Sequence, residues 1–154
     1  MKTLKQWFDE YAVSHQNPKN KSIHYICVPA IFFSIVGLLM SIPSFILTNL
    51  FSLNLPIIEN WAFVFLLFAL AFYIRLSVFM AFKIALFSGF CLVLNYYIGL
   101  HFPLWLFSIL LFTIAWIGQF YGHQIEGKKP SFLKDLQFLL IGPAWVLDNL
   151  FSKK

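Results

Sequence analysis

The chain reads as an all-α polytopic membrane helical bundle. About four transmembrane helices form two hairpins, with an interfacial N-terminal helix and a broken C-terminal helix pair. Three observations predict this. The composition is 60% hydrophobic and only 11% charged, against about 25% charged in a soluble domain, so the charges cannot cover a water-facing surface. The runs Ile26–Leu47, Trp61–Phe82 and Leu104–Phe120 are long enough to cross hydrocarbon, which takes roughly 17–25 residues. The lysines fall at alternate ends of such spans, so that four spans gather them on one side. A large soluble core is excluded, because apolar runs of this length leave no polar face for water. At 154 residues one membrane-embedded domain, 1–154, is expected.

Lys2, Lys5, Asp9, Glu10, Lys19 and Lys21 make the first segment too charged for a cleaved secretory signal. Trp7, Phe8, Tyr11 and Val13 share one helical face, predicting a helix that lies on the membrane surface. Four spans follow, near Ile26–Leu47, Trp61–Phe82, Ile84–Leu100 and Leu104–Phe120. Pro43, Asn49, Asn54 and Pro56 mark the first turn, Lys83 the second, and Gly99-Leu100-His101-Phe102-Pro103 the third. Phe132–Phe151 is again apolar but interrupted by Gly142-Pro143, and its continuous piece, Phe138–Leu147, is too short to cross. An interfacial or re-entrant pair of helices is expected there, with a fifth span as the alternative. Cys27 and Cys91 fall inside apolar runs and read as packing thiols.

Four spans put Lys2, Lys5, Lys19, Lys21, Lys83, Lys128, Lys129, Lys134, Lys153 and Lys154 on one side. The opposite turns hold only Glu59. By the positive-inside pattern both termini are then cytoplasmic, at a bacterial inner membrane or the endoplasmic reticulum according to the organism. The lysines are expected to meet anionic lipid head groups at about 1 kcal/mol each, and no nucleic-acid partner is expected. Arg75 falls inside a span, either as a functional cation or snorkelling towards the Lys83 turn.

The same parity sorts the histidines. His15, His24 and His123 fall at the cytoplasmic boundary, whereas His101 lies in a turn about 30 Å of hydrocarbon away. His15 and His24 would face opposite ways on one straight helix. Asn17-Pro18 makes such a helix unfavourable, and Asn17 and Asn20 suit a turn or cap that folds His15 back towards His24. Gln119, His123 and Glu126 share one face, so Gln119 and Glu126 are placed to orient the ring or bond a coordinated water; were the helix to fray at Gly122, Glu126 could itself be a ligand. Three neutral imidazoles with open positions suit Fe(II) or Zn(II). Each histidine alone also has a plainer reading as a cap or helix-end residue.

At these residues the chain resembles the membrane 2-hydroxy fatty acid dioxygenase family of fungal fatty-acid α-oxidation. The matching stretches are His15-Gln16-Asn17-Pro18-Lys19-Asn20, Ile23-His24, Val28-Pro29, Phe112-Thr113-Ile114-Ala115-Trp116-Ile117, Gln119-Phe120, Gly122-His123, Lys128-Lys129-Pro130 and Pro143. Their order and spacing span nearly the whole chain. The resemblance implies an Fe(II)-dependent enzyme that shortens 2-hydroxy fatty acids by one carbon with O2. It makes His15, His24 and His123 the catalytic, metal-holding set; Asn17, Asn20, Gln119 and Glu126 are supporting groups by the turn chemistry and helical spacing given above. The chain lacks the extended charged tail of the fungal pattern and is slightly shorter between His123 and Pro143. Four histidines are too few for the di-metal centres of membrane hydroxylases and desaturases. The non-catalytic alternative is a lipid-binding or scaffold protein with structural histidines.

Overall fold

The structure, a computed structural model, describes residues 2–127 and 132–151, the last stretch in side-chain detail from 138 onward. Lys128-Lys129-Pro130, the side chain of Lys134 and Lys153-Lys154 therefore lie outside the described residues. The elements are α1 (Leu4–Ala12), α2 (Pro18–Met40), α3 (Phe45–Phe51), α4 (Trp61–Leu76), α5 (Val78–His101), α6 (Leu104–Glu126) and α7 (Phe132–Phe151), with no strand among the described residues. The helices α2, α5 and α6, of 23, 24 and 23 residues, are long and apolar enough to cross a membrane. Large apolar side chains such as Phe68, Phe79, Phe82, Phe90, Ile114 and Ile117 are exposed along these and the neighbouring helix, a surface that hydrocarbon covers better than water.

The contacts divide the chain into two compact units, Met1–Phe32 with Thr113–Lys154, and Phe33–Phe112. In the second, α4 and α5 pack through Ala62, Leu66, Ala69 and Tyr73 on one side and Met80, Ala81, Ile84 and Cys91 on the other, all buried. Along α4 those intervals are the three- and four-residue steps of a helix face, and Ala81, Ile84, Ser88 and Cys91 repeat them on α5. Asn95 is buried in the same unit and donates from Nδ2 to the carbonyls of Cys91 (2.9 Å) and Phe33 (3.2 Å). Gly37 lets Ser108 and Asn95 approach its backbone, where a Cβ would collide with both.

In the first unit, Thr3 and Gln6 form a capping box that starts α1. Lys2–Glu10 and Lys5–Asp9 pair along its outer face, each at 2.8 Å. Tyr11 turns inward from α1 and meets Phe138 and Trp145 of α7, with ring centroids at 5.3 and 5.1 Å. The expected apolar face of α1 is thus partly used inside the protein: Tyr11 is buried, Trp7 and Phe8 are half-buried, and of the four only Val13 is exposed. Cys27 and Cys91 are free thiols, as their apolar settings suggested.

Several boundaries differ from expectation, each for a local reason. The first long helix begins at Pro18 rather than Ile26, because Asn17 accepts the Lys19 N–H (2.9 Å) and Pro18 occupies the first helical position. It stops at Met40 rather than Leu47, since Pro43 disfavours helix before it, and Phe45–Phe51 becomes a separate helix. The second break falls at Ser77 rather than Lys83. Ser77 is extended and caps α5 by accepting the Met80 N–H, leaving α4 with 16 residues, short of the other three anticipated spans. Arg75 consequently sits exposed in the last turn of α4, where a cation suits the helix dipole. Lys83 lies within α5 with Nζ 4.8 Å from the Phe79 ring centroid. Finally, the C-terminal region is one helix with Pro143 inside it, rather than a broken pair. A proline removes a single rung, and the surrounding residues, buried from Ile141 to Leu147, are held by packing.

Candidate metal centre

Three elements of the first unit deliver the three histidines. His15 sits on the link between α1 and α2, His24 on the second turn of α2, and His123 near the end of α6. All are buried, at 2%, 1% and 6% exposure. Ring centroids lie 4.3 Å apart for His15 and His24, 4.9 Å for His24 and His123, and 5.4 Å for His15 and His123. One nitrogen from each falls within 4.8 Å of the others, a spacing that could hold a metal ion. Tertiary structure therefore brings together the three that share a predicted boundary. His101 ends α5, exposed, and belongs to the other unit.

Backbone hydrogen bonds fix which nitrogen two of the rings offer. Nδ1 of His15 lies 2.7 Å from the Tyr11 carbonyl, and Nδ1 of His24 lies 3.0 Å from the Asn20 carbonyl. A carbonyl only accepts, so both Nδ1 atoms carry the proton. Nε2 of each is left with its lone pair, buried and with no hydrogen-bond partner. Nδ1 of His123 is buried as well. Burial is the main cause that pushes His15 down to about 4, opposed by its bond to Tyr11. At pH 7 His15 is therefore neutral, the form that ligates metals. Three buried imidazoles, two of them oriented by carbonyls, are a donor set that fits Fe(II) or Zn(II).

The link carrying His15 is held at several points. Its N–H donates to Ala12, and Ser14 Oγ donates to Tyr11. Asn20, wholly buried, donates from Nδ2 to the Ser14 carbonyl (3.1 Å) and to Glu126 Oε2 (3.0 Å). Glu126 also accepts the N–H groups of Gln16 (2.8 Å) and Asn17 (2.9 Å). Asn17 and Asn20 thus support the bend, as their residue types suggested. Glu126 holds the link, a different arrangement from the ring-orienting one that its helical spacing suggested. The helix does not fray at Gly122 but continues to Glu126, and Gly127 at φ +70° follows.

Some of the site was not anticipated. Tyr11 stacks on His15, with centroids 4.1 Å apart and planes 5° apart, and Trp145 of α7 lies 5.7 Å from the same ring. Gly118 and Gly122 let α2 come close: a Cβ at Gly118 would lie 2.6 Å from Cys27 Sγ, and one at Gly122 2.5 Å from Asn20 Oδ1 and 3.2 Å from His24 Cε1. The signal for the glycines was present in the small-xxx-small spacing of a membrane helix contact. Nothing local marks Trp145.

The triad opens on a cavity of about 30 Å³ lined by Tyr11, Val28, Ile31, Phe32, Trp116 and Gln119, among others. That is space for about two or three water molecules. Gln119 is half-buried in this lining.

No curated protein and no solved structure matches the chain. A family model described as 2-hydroxy-palmitic acid dioxygenase Mpo1-like matches residues 1–154.

Proposed function

The chain belongs to the 2-hydroxy-palmitic acid dioxygenase Mpo1-like family, and on that premise we propose that it is a membrane enzyme shortening 2-hydroxy fatty acids by one carbon with O2. His15, His24 and His123 hold Fe(II) in this reading. The observation that carries it is the convergence of three buried imidazoles, two of which present Nε2 lone pairs with no protein partner. A structural histidine core would give those nitrogens hydrogen bonds, since an unsatisfied buried polar atom costs roughly 1–3 kcal/mol.

Iron with three protein ligands keeps positions open and supplies redox chemistry with O2. The protein's own groups do the rest. The Tyr11 and Asn20 carbonyls hold the His15 and His24 rings in one tautomer and one orientation. Val28, Ile31 and Phe32 keep bulk water from the reacting carbon. Gln119 is the amide placed to donate to the substrate's carboxylate or hydroxyl. A cavity of about 30 Å³ has no room for an acyl chain, so the chain lies outside it, along apolar helix faces. The lysine-rich segments set both termini on the cytoplasmic side.

The test is metal analysis of the purified protein together with O2 uptake on 2-hydroxypalmitate and on palmitate. Iron in the protein, and uptake with the hydroxylated acid alone, is the expected result. Iron-loaded protein that consumes no O2 with either acid would remove the substrate assignment and favour the lipid-binding reading.

A further inference from the structure

The feature that carries an inference beyond the triad is the placement of Glu126. This residue closes α6, where its own helix disfavours it, because a carboxylate at a helix C-terminus faces the negative end of the dipole. Among the described residues no cation pairs with it. Instead its two oxygens take three N–H donors at the start of another helix. Oε1 accepts from Gln16 N (2.8 Å), and Oε2 from Asn17 N (2.9 Å) and Asn20 Nδ2 (3.0 Å). Those donors surround the N-terminus of α2, the positive end of that helix.

We infer that Glu126 is an interhelical cap whose task is to seat His15, and that it is a positioning residue rather than a metal ligand. The inference rests on the triad holding a metal. His15 is the member of the triad outside any helix, so its place depends on what fixes residues 14–17. Asn17 is the helix cap of α2, and its N–H and that of Gln16 have no intrahelical acceptor. Glu126 supplies one from α6, the helix that also carries His123. The same carboxylate holds Asn20, whose carbonyl orients His24. One group thereby ties the supports of all three rings together. Glu126 does not line the cavity, and its oxygens already face donors. Only a carboxylate fits: glutamine has one acceptor oxygen, and its amide would turn N–H groups towards at least one of the three donors.

The experiment is titration of the full chain in detergent with Co(II) as the metal probe. Glu126→Gln is expected to weaken Co(II) binding about 10–100-fold, the usual effect of losing an outer-shell support, while the three histidines still bind it. His15→Ala, which removes a ligand, should abolish Co(II) binding and serves as the comparison. Unchanged affinity in Glu126→Gln, or binding abolished as in His15→Ala, overturns the inference. Amide exchange at Gln16 and Asn17 provides a readout independent of metal, and Glu126→Gln should speed it while helical content stays unchanged. If the wild-type protein takes no Co(II), the metal reading fails by itself. Unchanged exchange would then sink the cap as well.

Discussion

At the scale of single residues, the centre shows how a backbone selects chemistry. Histidine can offer either ring nitrogen, and here two carbonyls decide, leaving Nε2 of His15 and His24 for another partner. Replacing His15, His24 or His123 separately with alanine should reduce bound iron below detection in each case, with loss of O2 uptake, checked by metal analysis of folded protein. A variant that keeps both would show its histidine to be structural. Tyr11 is a second residue-scale test. Its carbonyl serves His15 while its ring stacks on His15 and meets Trp145. Tyr11→Ala should lower stability by about 3–5 kcal/mol, as for other buried aromatic truncations, measured by denaturant unfolding in detergent. The role of Tyr11 was not legible in the sequence, because its spacing with Trp7 and Phe8 describes a membrane-facing stripe equally well.

At the scale of elements, most helices were legible and their ends were not. Apolar runs gave α2, α4, α5 and α6, but the ends depended on single caps: Asn17 with Pro18, Ser77, and Gly127. Hydropathy averages over many residues and does not register one side-chain hydrogen bond. The close contact of α6 with α2 likewise hangs on Gly122. Gly122→Ala would place a methyl 2.5 Å from Asn20 Oδ1, and overpacking of this kind costs about 1–3 kcal/mol. Metal affinity should fall with it, because Asn20 and His24 must move. Gly89 is the contrast, since a Cβ there meets nothing within 4 Å. Gly89→Ala should raise stability by about 0.5–1 kcal/mol through helix propensity. Thermal unfolding of the two variants, shifting in opposite directions, checks both statements.

At the scale of the whole molecule, metal binding and membrane orientation are the properties to measure. A site that exists only in the folded state couples metal to stability, by about 2.7 kcal/mol when free metal is 100 times Kd. A chelator should therefore lower the unfolding temperature, and Fe(II) should restore it, with no such response in His24→Ala. Reporter groups fused to the two ends should both lie in the cytoplasm, and opposite locations would refute the four-span parity. The first and last helices, α1 and α7, pack on each other within one unit.

The sequence by itself determined the helical class, the presence of long apolar helices and which three histidines come together. Those properties follow from composition and from the alternation of apolar runs with lysine, which are sums along the chain. Only the tertiary structure decided that Glu126 caps α2, that Tyr11 and Trp145 enclose His15, and that Nε2 of His15 and His24 faces the interior. Glu126 and Gln16 are 110 positions apart, so no local pattern links them. Their hydrogen bond exists because packing places the end of α6 beside the start of α2, and that is a property of the fold.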